Sequence, residues 1–177
     1  MGDISIKPLE LQYKGLFDFD GLYIAIIDWA KNYGYMWHER DYKHKVPSPA
    51  GAEQEYTWAM TANLSEYVAY EIVLTVHLWD MLDMEVNVDG KKKSLTNGRL
   101  KMTMTAKMTT DWQKRFSGSP FLRKLGEFYY NHIRKKGLED RYLDPLMYRV
   151  YDLHAIIKKY FDMQGHKYTY KGYLGQN

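Results

Sequence analysis

From Glu53 to Thr110 the chain alternates apolar and polar residues with few interruptions. Tyr56, Trp58, Met60, Ala62 and Leu64 take turns with Glu55, Thr57, Ala59, Thr61 and Asn63. Val68, Tyr70, Ile72, Leu74, Val76 and Leu78 continue the apolar set on even positions. Leu82, Met84, Val86 and Val88 alternate with Asp83, Glu85, Asn87 and Asp89. Leu100, Met102, Met104, Ala106 and Met108 alternate with Lys101, Thr103, Thr105, Lys107 and Thr109. A period of two predicts a half-buried antiparallel sheet, packed on one face and wet on the other. On this reading Met84 faces the same side as Trp58, Met60, Met102, Met104 and Met108, in a core or beside an apolar cavity. The last two strands are expected to pair through a loop over residues 90–98. That would set Asp83, Glu85 and Asp89 against Arg99, Lys101 and Lys107 across the ladder.

Helical periods flank this region. Phe19, Leu22, Tyr23, Ile26, Ile27 and Ala30 recur at helical spacing between Asp18, a candidate N-cap, and Gly34, a stop. Residues 4–14 read as a strand that Pro8 confines to a sheet edge. Residues 35–46 read as another, and residues 47–52 (PSPAGA) as a loop. Ser119-Pro120 opens a helix that runs toward Gly137. Asp144-Pro145 repeats that capping chemistry before a stripe of Leu146, Val150, Leu153, Ile157 and Phe161. A short connection between these two helices predicts an antiparallel hairpin. The expected domain is therefore α+β: a sheet meander with one N-terminal helix and a C-terminal helical hairpin packed on one face. Residues 1–164 form one domain, and residues 165–177 a tail bearing Tyr and Lys. This order of elements is similar to the helix-grip architecture of domains that bind lipids and other hydrophobic ligands. The similarity is one of element order, and no residue motif carries it.

Composition changes this picture in three ways. The 177 residues include 17 Tyr and 5 Trp, many for the length, and these suit a core with amphipathic rims or an aromatic binding surface. The net charge of +3 is too small to mark a strong polyanion binder. Cys is absent, which excludes disulfides, thiolate metal sites and thiol catalysis. No apolar run approaches a membrane span. The N-terminal segment reads as neither signal peptide nor myristoylation site, so a cytoplasmic location is expected.

Catalytic motifs are missing: there is no phosphate loop, nucleotide glycine fingerprint or nucleophile elbow. No cofactor or metal is expected. His38 and His44, on one face of a regular strand, would stand roughly 20 Å apart, too far to share an ion. His132 and His154, one on each C-terminal helix, lack a third ligand. The strand over residues 66–79 is unusual because its second face is also semi-apolar: Tyr67, Glu71, Val73, Thr75, His77 and Trp79. A central strand reads this way when both its faces are covered. Tyr67, Glu71, His77 and Trp79 are therefore candidate ligand or partner residues. Glu71 and His77, six residues apart, cannot form a direct acid–base pair. The tail interleaves Lys167, Tyr168, Tyr170, Lys171 and Tyr173, so Tyr168, Tyr170 and Tyr173 join the candidate surface. Lys135, Lys136, Lys167 and Lys171 are the candidate nucleic-acid contacts.

Three functions remain open. The first is a non-enzymatic domain that engages an apolar small ligand, a protein partner or a second copy of itself. The second is an RNA- or ribosome-associated protein that uses the basic helix ends and the tail. The third is an enzyme with a dispersed site near His77 and Glu71.

Overall fold

The computed structural model describes residues 3–48, 51–88, 91–116, 119–128, 137 and 139–161. Five strands form one antiparallel sheet: β1 (Asp3–Phe17), β2 (Met36–Ser48), β3 (Gly51–Asn63), β4 (Val68–Val88) and β5 (Lys91–Thr110). Their order is β1-β5-β4-β3-β2. The last four strands make a meander. Helix α1 (Phe19–Asn32) carries the chain from the β1 edge to the β2 edge. The α+β class expected from the alternation is the observed one, and the semi-apolar strand is the central one.

One face of the sheet carries the core. Trp58, Met60 and Ala62 of β3 and the even positions of β4 from Val68 to Leu78 are buried there with Leu100, Met102, Met104, Ala106 and Met108 of β5. Helix α1 covers them with Leu22, Ile26, Trp29 and Ala30. Helix α3 (Asp144–Tyr160) covers them with Leu146, Val150, Leu153 and Ile157. The two helices are tied together where Trp29 Nε1 donates to Asp152 Oδ2 at 2.8 Å. Asp18 caps α1, accepting from the Gly21 N–H at 2.9 Å. Ser119 caps α2 (Pro120–Phe128), accepting from the Leu122 N–H at 3.2 Å. The hairpin expected between α2 and α3 is described only in part, because residues 129–136 and 138 lie outside the described set. No helix among the described residues is long and apolar enough to cross a membrane.

Four expectations change. Most of the loop expected over 90–98 is strand, because β4 reaches Val88 and β5 resumes at Lys91. Asp-Gly at positions 89–90 is a two-residue hairpin signal that the polar run after it obscures. Ion pairing across this hairpin accordingly shifts register. Glu85 meets Lys92 at 3.5 Å, Asp83 accepts from Thr96 at 3.2 Å, and Arg99 meets Asp80 at 2.6 Å. The loop over 47–52 likewise shrinks, with β2 ending at Ser48 and β3 starting at Gly51. Asp144 is not an N-cap: a π-helical turn, Glu139–Leu143, runs straight into α3, and Leu143 is already helical (φ −73°, ψ −44°). Asp144 instead places its charge in the first turn, where it complements the helix dipole.

The fourth change comes from bulges. Arg40 is an extra residue in β2, since Glu39 pairs with Trp58 and Asp41 with Thr57. It places His38 opposite Ala59 and His44 opposite Gln54, five residues apart on β3, so the two His lie on opposite faces. Asp80 and Met81 bulge from β4, between the pairs Trp79–Arg99 and Leu82–Asn97. Asp80 takes φ +56°, a left-handed conformation that Asp tolerates. One extra residue reverses the facing of everything beyond it. Leu82 and Met84 therefore leave the core side, at 51% and 46% exposure.

Two glycines make room for the β4 bulge. A Cβ on Gly51 (φ +121°) would lie 2.5 Å from the Asp80 carbonyl carbon, and one on Gly98 2.9 Å from the Trp79 carbonyl oxygen.

Candidate functional site

Helices α1 and α3 both pack on the core side of the sheet and leave its other face uncovered by them. Register fixes what stands on it. Lys14, Arg99 and Trp79 form one cross-strand row, and Gln12, Lys101, His77, Glu55 and Lys43 the next. Beyond the bulge, Leu16, Asn97 and Leu82 form a further row, followed by Leu95 opposite Met84.

His77 is the hub of the central rows. Its ring stacks on Trp79 with centroids 3.7 Å apart and planes 23° apart, and the Arg99 guanidinium lies 5.7 Å from the Trp79 ring. Nε2 of His77 is 2.6 Å from Glu53 Oε1 and 3.6 Å from Glu55 Oε1. Lys45 Nζ approaches the same two oxygens, at 2.7 and 3.4 Å. Lys45 first, then His77, holds the Glu53 carboxyl below its usual range. One imidazole nitrogen and two carboxylates within 4.8 Å of one another make a donor set suited to zinc or a similar divalent ion. The Lys45 ammonium already neutralises these carboxylates, so an ion would have to displace it.

Glu71 belongs to a separate cluster at the other end of the face. It is bonded by Arg40 and lies 2.8 Å from Lys107 Nζ. Burial raises its pKa, but Lys107 and Arg40 outweigh that and hold it below the usual carboxylate value. Glu71 and His77 are therefore not brought together, as their spacing implies. Tyr67 is off this face: it sits in the turn before β4, packs against the core and meets Phe116 edge-on at 6.3 Å. Tyr168, Tyr170, Tyr173, Lys135, Lys136, Lys167, Lys171 and His132 lie outside the described residues.

Two clefts open on this face. One, of about 420 Å³, is lined by Gln12, Lys14, Trp79, Arg99 and Lys101 among others. The other, of about 390 Å³, lies between the β1 bulge and Glu71, Val73 and Lys107. Both are shallow and open to solvent. Sequence reasoning missed Leu16, Leu82 and Met84 as surface residues. No local signal marks the bulge that exposes the latter two, although Gly51 and Gly98 are the residues it requires.

The chain matches no protein-family model and no curated protein sequence. Functional argument therefore rests on the face itself.

Proposed function

We propose that this protein is a non-enzymatic binding domain that engages a protein partner through the end of its open sheet face. The observation that carries this reading is the bulge at Asp80–Met81. It turns Leu82 and Met84 onto the same face as Trp79 and Leu16, and Lys14 and Arg99 border them. Bulges that re-aim side chains are built features, and this one is accommodated by two glycines. Trp and Arg beside aliphatic side chains are the residue types that anchor protein interfaces. A small apolar ligand is less well served. Such ligands need concave sites that bury most of their surface, and the clefts here are shallow.

The test is site-specific photocrosslinking. A benzophenone group in place of Met84 is expected to capture one discrete protein in the cells that make this chain. The same group in place of Thr75, further along the same face, is expected to capture none. Trp79→Ala should suppress the Met84 adduct. Equal adducts at both positions, or none at Met84, would refute the reading. A nuclease-sensitive adduct would transfer support to the RNA-associated alternative.

A further inference from the structure

Helix α2 shows its large apolar side chains to solvent. Phe121, Leu125 and Phe128, spaced i, i+4 and i+7, share one helical stripe. Phe121 is 74% exposed and Leu125 46%. Gly126, about a third of a turn round, is buried, and Leu122 half-buried. The helix therefore turns a small residue inward and bulky ones outward. Three anchors at this spacing are how a helix fills an apolar groove.

The same molecule carries an apolar groove, as shallow and open to solvent as the clefts of the sheet face. A cleft of about 460 Å³ runs between α1 and α3, lined by Ile24, Ala25, Trp29, Ile156 and Tyr160. Ile24 is 57% exposed on its wall. The charges are complementary: Lys124, exposed, flanks the stripe, and Asp28, exposed, stands at the groove. Stripe and groove are exposed at once in a single chain, so α2 does not fill its own groove.

We propose that the α2 stripe docks into the α1–α3 groove of a second copy of this chain, with Lys124 beside Asp28. Stripe and groove are different patches, so each copy offers one of each. A two-fold axis would close two such contacts into a dimer. Three anchoring side chains make a contact below the roughly 1,200 Å² of stable interfaces, so the association is weak and concentration-dependent. The contact is independent of the sheet face proposed above.

The test is sedimentation velocity on the full chain between about 5 and 500 µM, a range chosen for the weak class of interface. The weight-average sedimentation coefficient is expected to rise with concentration. A stripe variant, Phe121→Ser with Leu125→Ser, and a groove variant, Ile24→Lys, should each weaken association at least tenfold. Both change exposed residues, and circular dichroism checks that they keep the fold. An equimolar mixture of the two variants should regain association, because one intact stripe then meets one intact groove. A wild type that stays monomeric throughout, a variant that associates as the wild type does, or a mixture that stays monomeric would each overturn the proposal. A monomeric wild type that binds anionic vesicles, with loss of that binding on Phe121→Ser, would assign the stripe to a lipid surface instead.

Discussion

Leu78 and Leu82 stand four residues apart on one strand, and plain alternation would bury both. The structure separates them. Leu78 is fully buried between Gln54 and Leu100, whereas Leu82 lies past the bulge at 51% exposure. Truncating Leu78 to Ala removes buried methyl groups and leaves a void, at a cost of about 3–4 kcal/mol. Truncating Leu82 removes a side chain that is half in water already, so less than about 1 kcal/mol is lost. For a chain of this size the melting temperature falls about 2–4 °C per kcal/mol. The expected drops are about 6–16 °C for Leu78→Ala and under about 4 °C for Leu82→Ala. Thermal melts measure both drops, and urea unfolding at pH 7 measures the underlying free-energy losses, with an unchanged denaturant slope confirming that only stability moved. Equal losses would refute the bulge, and with it the exposed ridge on which the proposed function rests. A negligible loss at Leu78 would refute the burial of the central strand.

The bulge makes a second demand at Gly51. Gly51→Ala adds a Cβ against bulge backbone at positive φ and is expected to cost roughly 2–3 kcal/mol, whereas Gly34→Ala, with φ +74° but open space, costs about 1 kcal/mol; thermal melts compare them. His154 is a base held below its ordinary value, by burial first and by Lys158 second, and its buried Nε2 has no hydrogen-bond partner among the described residues. The unfolded chain therefore takes up its proton first, so stability is full above pH ~6.5 and declines as pH falls below it. His154→Phe should flatten urea midpoints between pH ~7 and ~5.5, the window that starts at the unperturbed histidine value. Glu71 has the same sign for a different reason, since cations lower its pKa: Glu71→Gln should cost about 1 kcal/mol at neutral pH, and the difference should vanish as pH falls through the carboxylate range. Lys45→Met removes the cation already seated between Glu53 and Glu55, so zinc should raise the melting temperature of this variant more than that of the wild type, measured by calorimetry with and without the ion.

How much of this was legible in the sequence follows from the physics of each feature. Alternation over β3, β4 and β5 is a direct readout of burial, because side chains point to opposite faces with a period of two. The helix caps at Asp18 and Ser119 were legible for a similar reason, since their side-chain oxygens meet N–H groups three residues away. Long-range consequences were not. Whether Leu82 is core or surface depends on one extra residue in β4, and the signs of it, Gly51 and Gly98, sit on neighbouring strands. The Glu53–Glu55–His77 cluster depends on the β3–β4 register, which sets Glu55 opposite His77. Register is a property of two strands, whereas a sequence displays one at a time. Asp144 misled for the opposite reason: the local cap signal was sound, but the preceding residues were already helical.

The edges of the sheet bear on where a partner can approach. An exposed edge offers unpaired backbone groups, which proteins guard against by bulges, Pro and charge. Both edges here are guarded. β1 bulges at Lys7–Pro8, between the pairs Ile6–Ala106 and Leu9–Met104, where Pro8 also lacks an N–H. β2 bulges at Arg40 and carries Glu39, Asp41, Lys43 and Lys45 close by. The charges of the central face are likewise spent on one another, since Lys43, Lys45, Lys101, Arg99, Glu71 and Lys107 all have ion-pair partners within the chain. With strand addition discouraged at both edges and the central charges satisfied, the exposed apolar side chains among the described residues include those of the ridge past the β4 bulge, the α2 stripe and the α1–α3 groove. A partner that gains free energy by burying surface gains it there, so Met84 crosslinking and α2-dependent self-association are the two measurements that divide the readings.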